Sequence, residues 1–167
     1  MALADVPKVL FDDGLTAVVG WRAVVVSVWR KEPFPIASSR LAVEAMLAYG
    51  RTVAPTKVAV VVMLNPDVTP PNAELRAEMD RNARHLAAMT ACGATIHSGT
   101  GFRAAAVRGV LTALQLVARS KHPEKVFTTD AAAAAWMTPL LRDAGMRVTS
   151  PGEVADALAW IRANVRT

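Results

Sequence analysis

Apolar residues in the first part of the chain occur in runs that are typical of β-strands. Residues 15–21 ("LTAVVGW") and 23–29 ("AVVVSVW") are rich in valine and are separated by Arg22. They predict either a hairpin or one long strand with a bulge. Residues 57–64 ("KVAVVVML") are apolar at successive positions, which is expected of a strand covered on both faces.

Helical periodicity follows these strands. It begins near Ser38, which can cap a helix, and runs to Tyr49, before Gly50. After the loop "NPDVTPP", Asn72 is a good N-cap for a second helix. The apolar stripe of that helix is Leu75, Met79, Leu86 and Met89.

The second half of the chain repeats the alternation of short strands and helices. Residues 93–97 ("GATIH") and 125–128 ("KVFT") predict strands. A helix with Val107 on its apolar stripe lies between them, and Asp130 is expected to cap an alanine-rich helix that follows. Ser150, Pro151 and Glu153 stand where a capping box with proline at its first helical position requires them.

This order, β-β-α-β-α-β-α-β-α plus a C-terminal helix, predicts an α/β fold with a mixed, mostly parallel sheet flanked by helices. We expect the two leading strands to form an antiparallel edge, and strands 57–64 and 125–128 to be interior. No low-complexity linker interrupts the chain, so residues 1–167 are predicted to form a single domain. Its core is expected at about 14–142, with 143–167 as a C-terminal extension.

Composition narrows the class of protein. Hydrophobic residues make up 53% and charged residues 20% of the 167 residues, which is typical of a globular domain. The net charge of +5 is not clustered in any basic run, so a nucleic-acid partner is not expected. The beginning of the chain lacks the pattern of a signal peptide, and no apolar run approaches the roughly 20 residues of a spanning helix. These features predict no membrane insertion and a cytoplasmic location.

The stretch "IHSGTGFRAAAV" raises the sharpest question about chemistry. Gly99, Gly101 and Ala104 fit a loose dinucleotide-binding pattern, in which backbone amides at a helix N-terminus bind phosphate. Gly99, Thr100 and Gly101 would bind the anion, Arg103 would clamp it, and Asp130 could accept a hydrogen bond from ribose. The pattern lies late in the chain, however, and its acidic residue is about ten positions beyond the usual spacing of roughly 20.

A structural corner is therefore the preferred interpretation of this turn, and no cofactor is predicted. In that case Gly99 or Gly101 should hold a positive φ or a close backbone contact, because the chain turns sharply from strand to helix. Arg103 would lie in the first helical turn, where a cation opposes the helix dipole unless an anion or acidic group meets it.

Residues that could support catalysis or metal binding are scattered. His85, His97 and His122 each lack a second ligand three or four positions away, so no metal site is predicted. Cys92 is the only cysteine, which excludes an internal disulfide and predicts a small buried hydrophobic residue. Asp67 follows the strand predicted over residues 57–64 but is expected to be a turn residue. The sequence predicts that the protein is not an enzyme.

The element order and three stretches resemble the STAS domain family, in particular its SpoIIAA-like branch. The stretches are "LTAVVGWRAVVVSVWRK", "KVAVVVMLNP" followed by a helix, and "KVFTTDAAAAAWM", and the resemblance covers residues 14–142. It implies a small non-enzymatic module that binds kinases, anti-sigma factors or membrane transporters. Phosphorylated members carry a serine or threonine in a turn of the Asp-Ser-x-Gly type. Thr69 is the only hydroxyl residue in the matching loop here, and the Asp-Ser-Gly pattern is missing.

Two functional hypotheses follow from the sequence. The first is a cytoplasmic regulatory or scaffolding module that acts through contact with a signalling protein such as a kinase or an anti-sigma factor, and it leaves open whether the module is itself a homodimer. The second is a nucleotide- or anion-binding protein that uses the Gly99–Gly101 turn with Arg103.

Overall fold

Six strands and five helices make up a computed structural model of the chain, which describes residues 5–30, 36–118, 120–147 and 150–165. In chain order the elements are β1 (Lys8–Asp12), β2 (Thr16–Trp21), β3 (Val24–Trp29), α1 (Ile36–Val53), β4 (Val58–Leu64), α2 (Ala73–Leu86), β5 (Thr90–His97), α3 (Gly101–Ala118), β6 (Glu124–Phe127), α4 (Asp130–Asp143) and α5 (Pro151–Asn164). The predicted α/β class with a mixed sheet is confirmed.

The strands lie side by side in the same order as in the sequence, from β1 to β6. The pairs β1–β2 and β2–β3 are antiparallel, and the three pairs from β3 to β6 are parallel. The two leading valine-rich runs form a hairpin, in which Trp21 pairs with Val24 across a two-residue turn. Arg22 takes a φ of 49° in that turn, which is the left-handed conformation that tight hairpin turns need.

Strand β1 was not predicted from the sequence. Its pairing with β2 is interrupted by a register shift between Val9 and Phe11, so its side chains do not alternate regularly. The prediction that 125–128 is an interior strand is wrong, because β6 pairs with β5 alone and forms an edge. With only four residues, two of them the charged Glu124 and Lys125, β6 has the features of an edge strand.

Helix boundaries follow the predicted caps with three differences. Helix α1 begins at Ile36, so Ser38 lies inside the helix rather than at its N-cap. Asn72 and Ser150 are N-caps as predicted, whereas Thr129 rather than Asp130 caps α4, its hydroxyl accepting from the amide of Ala132 at 3.2 Å. The first helix does not end at Gly50 but continues to Val53. A Cβ on Gly50 would lie 2.5 Å from the sulfur of Met89, so this glycine serves close packing.

Helices cover both faces of the sheet. Each crossover connection between β3 and β6 leads to the next strand in the sheet, always in the same direction. Because such connections are right-handed, α1, α2 and α3 lie on one face of the sheet. Helices α4 and α5 pack on the opposite face, where Met137 and Ile161 are fully buried against sheet residues such as Met63 and Ile96. Helix α5, in the predicted extension, thus belongs to the main hydrophobic core.

Among the described residues, no helix combines the length and apolar character needed to cross a bilayer.

Candidate functional site

The two faces of the central strand β4 differ in burial. Val61 and Met63 face α4 and α5 and are fully buried, whereas Val60 and Val62, on the face of α1, α2 and α3, are partly exposed. Neighbouring β5 repeats the difference, since Ala94 is buried and Thr95 is partly exposed. Apolar side chains in the middle of a sheet are normally covered completely. On this face, therefore, the helices leave part of the sheet uncovered.

A cavity of about 620 Å³ lies above these partly exposed side chains. Helix α2 packs against α1 and stands away from the strands, so the cavity lies between α2 and the sheet. Its lining is mostly apolar. The sheet contributes Val60, Val62 and Leu64, the helices contribute Met46 from α1, Leu75, Met79 and Ala83 from α2, and Val107, Leu111 and Leu114 from α3.

A polar contact with α1 fixes α2 in this raised position. The side chain of Glu78 is almost completely buried, and its carboxylate is paired with Arg40 of α1 at 3.2 Å and with Arg81 at 3.1 Å. The hydrogen bond from Arg40 holds the pKa of Glu78 below its ordinary value. One turn further along, Asn82 donates to the hydroxyl of Ser39 at 2.6 Å. These bonds attach one edge of α2 to α1 and leave its apolar stripe facing the cavity.

The size of the cavity limits what can occupy it. At about 24 cal/mol per Å³, a sealed apolar void of 620 Å³ would cost about 15 kcal/mol. That matches the upper end of the free energy of unfolding of a native domain, which is about 5–15 kcal/mol. The space must therefore admit solvent or a ligand. Its volume lies in the range of about 300–1,000 Å³ that small-molecule pockets occupy.

One end of the cavity, near the start of β6, is polar. His122 and Glu124 line it, and the His122 Nε2 lies 2.9 Å from the Glu124 Oε1. Ser120 donates to the same carboxylate oxygen at 2.6 Å. From the sequence, His122 was predicted to bind no metal, and Glu124 was not singled out. No spacing along the chain could have joined them to α2, because only the crossover connections bring these segments together.

The glycine turn has the conformation that the sequence predicts. Gly101 begins α3 with a φ of +80°, and a Cβ on Gly99 would lie 2.8 Å from the carbonyl oxygen of Pro66. The prediction of a positive φ or a close backbone contact is confirmed at both positions. Thr100 is exposed between them.

The cations beside this turn bind backbone carbonyls. Arg103 donates to the carbonyl of Asp67 at 3.0 Å, and Arg108 donates to the carbonyl of Gly99 at 2.8 Å. The contact at Asp67 fixes the loop after β4 against the first turn of α3. Arg103 thus meets the partial charge of a carbonyl at the helix N-terminus. The binding of a nucleotide or anion at Gly99, Thr100, Gly101 and Arg103 stays a prediction.

The other residues singled out in the sequence lie apart from one another. Thr69 is exposed in the loop between β4 and α2 and lines the cavity at its edge. Asp130 pairs with Arg162 of α5 through two hydrogen bonds, of 3.0 and 2.7 Å. His85 is exposed on α2, while His97 is buried with its Nε2 3.1 Å from the carbonyl oxygen of Pro66.

Cys92 lies in the middle of β5 and is fully buried, as predicted for a small hydrophobic residue. Burial raises the pKa of its thiol to about 12. Across the described ranges, no three His, Cys, Asp or Glu side chains are grouped so that they could hold a metal ion.

Comparisons with known proteins gave no match, whether with protein-family models, with curated proteins or with solved structures. The resemblance to the STAS family therefore stays a prediction, with which the order of elements after β1 is consistent.

Proposed function

We propose that this protein is a binding module that takes up an apolar small molecule between α2 and the sheet. The observation that carries the proposal is the partial exposure of Val60 and Val62 in the interior strand β4. A ligand in the 620 Å³ cavity would complete the burial of these side chains and of the apolar stripe on α2. Apolar burial stabilises by about 25 cal/mol per Å² of surface removed from water, so a ligand of this kind needs few polar contacts.

The proposal is tested with N-phenyl-1-naphthylamine, an apolar fluorophore whose emission rises when it leaves water. We expect saturable binding of one molecule per chain. Ala83→Trp places an indole in the cavity from α2 and should weaken binding at least about tenfold, which corresponds to about 1.4 kcal/mol. Ala135→Trp is the matched control, because Ala135 is exposed on α4, on the other side of the sheet from the cavity.

Circular dichroism and thermal melting of the same three proteins show whether each variant is folded. A ligand present at 100 times its dissociation constant should stabilise the folded protein by about 2.7 kcal/mol. Absence of saturable binding to the wild-type chain, or equal binding by both tryptophan variants, would contradict the proposal.

A second candidate is the regulatory or scaffolding role, with a protein partner. The observation that favours it is the outward face of α3, where Phe102 and Leu116 are 91% and 77% exposed. The residues between them on this face are mostly small, including Ala105, Gly109 and Ala113. Large apolar side chains exposed on one helix face are typical of a surface that another protein covers.

The simplest such partner is a second copy of the chain. Sedimentation velocity across a range of concentrations should then show a dimer in the wild type and a monomer in Leu116→Asp. A wild type that stays monomeric throughout would refute the homodimer. Ligand binding in the cavity is measured separately, so the two candidates stand or fall independently.

A further inference from the structure

The polar end of the cavity indicates which chemical class of apolar molecule would bind. Glu124 pairs with Gly93 in the register of β5 and β6, so its side chain extends over a strand position that has no side chain. A Cβ on Gly93 would lie 3.0 Å from the Cγ of Glu124. Because Gly93 leaves this space, the carboxylate side chain can lie along the sheet at the cavity wall.

Ser120 and His122 both contact the same carboxylate oxygen of Glu124. The hydroxyl of Ser120 donates to Oε1 at 2.6 Å, and the His122 Nε2 lies 2.9 Å from the same oxygen. With its proton on Nε2, the His122 ring donates to Glu124 and its Nδ1 is an acceptor. This Nδ1 is buried and has no partner among the described residues. The Glu124 Oε2 also has no hydrogen bond within the described part of the chain.

The carboxyl group of Glu124 is ionised. Burial raises the pKa of Glu124, but the hydrogen bonds from His122 and Ser120 outweigh burial and lower it overall. Glu124 is therefore a carboxylate at neutral pH. The other charged residues on the cavity wall, Arg76 and Asp80, are exposed on α2, and Asp80 is paired with Arg84. Glu124 is thus the partly buried charge that a ligand would meet.

We propose that the cavity binds an apolar amine, with its ammonium group donating to the Oε2 of Glu124 and its apolar part beneath α2. This inference rests on the proposed binding function and specifies the ligand class for the same cavity. An ammonium group supplies donor hydrogens and a positive charge, and both strengthen a hydrogen bond to a carboxylate. A carboxylic acid of the same length would place like charges together, and an alcohol would supply a donor without the charge.

The test is displacement of N-phenyl-1-naphthylamine by n-octylamine, n-octanol and n-octanoate at pH 7. These probes share one alkyl chain and differ only in the polar group. For the wild-type chain we expect octylamine to displace the fluorophore at a concentration at least about tenfold lower than octanol, in line with a charged hydrogen bond. Octanoate should be weaker than octanol.

Two variants assign the preference to Glu124. Glu124→Gln keeps the shape and should bring octylamine and octanol to within about twofold of each other, since the charge is lost. Asp80→Asn removes the other carboxylate of the wall and should keep the preference for the amine. Circular dichroism confirms that both variants fold. Octylamine and octanol are compared within each variant, so that a change in the affinity for the fluorophore itself cancels.

The outcomes separate this inference from the proposed function. If the fluorophore binds but the three probes displace it equally, or if the amine preference survives Glu124→Gln, the inference is overturned and the apolar binding site stands. If the fluorophore does not bind to the wild-type chain, both fall.

Discussion

Substituting Val61 and Val62 one at a time by alanine compares the two faces of β4 within a single strand. Val61 is fully buried on the side of α4 and α5, and Val62 faces the cavity. Each substitution removes the equivalent of two methylene groups, worth about 1.6 kcal/mol when they are fully buried. The two positions are neighbours in an interior strand, so the change in β-propensity is closely similar and largely cancels in the comparison.

The expected costs differ because only one substitution creates a new enclosed space. At Val61 the transfer term and the new cavity together should lower the free energy of unfolding by about 2–3 kcal/mol. For a chain of this length that corresponds to a melting temperature lower by about 4–12 °C. At Val62 the removed methyl groups already face the cavity, and the loss should stay below about 1 kcal/mol.

The measurement is urea denaturation of both variants and the wild type, followed by fluorescence, with equal m-values as the condition for comparing midpoints. A further variant, Val60→Ala, should behave like Val62→Ala, since Val60 also lines the cavity. If Val62→Ala costs as much as Val61→Ala, the face beneath α2 is packed as tightly as the other face. The reasoning that leads to a binding cavity would then be wrong.

Three further predictions concern the glycine turn before α3, the thiol of Cys92 and the carboxylate of Glu78 on α2. Gly101→Ala should cost about 1–2 kcal/mol because of its positive φ. Gly99→Ala should cost more, because its Cβ would meet a backbone carbonyl, and urea midpoints in the reverse order would contradict this. Cys92, with a pKa raised to about 12, should react with a disulfide reagent at pH 8 only after unfolding, and rapid labelling of the folded protein would show that it is accessible. The pKa of Glu78 is lowered below its ordinary 4.5, so its contribution to stability is present above pH 4.5 and is lost as the pH falls through the lower folded value. The wild type should therefore lose more stability than Glu78→Gln between pH 7 and pH 3, and parallel curves would count against the contact with α1.

Local sequence patterns predicted the strands and helices of this fold well. They predicted less well which of these elements lie side by side. Valine runs, the Asn72 cap and the Ser150 cap depend on residues close in sequence, and each of them is confirmed. The interior position of 125–128 was wrong because strand order depends on crossover connections rather than on apolar content. Strand β1 was missed because its bulge breaks the alternation that marks a strand.

The candidate site was less predictable than the fold. The glycine turn was visible in the sequence because its signal is local, and its conformation was predicted correctly. The cavity was not visible, since it results from the height at which Glu78 and Asn82 hold α2 above the sheet. A charged residue on a helix usually indicates a solvent-facing position. Glu78 is an exception, because it is buried against Arg40 of another helix. The two residues are far apart along the chain, so the sequence alone does not show that they meet.

The matching order of strands in sequence and in space has a consequence for how the chain folds. Each new strand from β2 to β6 is added beside the strand made just before it, so the sheet can form in the order in which its strands are synthesised. The face that α4 and α5 cover is completed last, because both helices follow the final strand. During synthesis the apolar side of a finished sheet would therefore stay uncovered until α5 leaves the ribosome, which is the interval in which this chain is most exposed to aggregation.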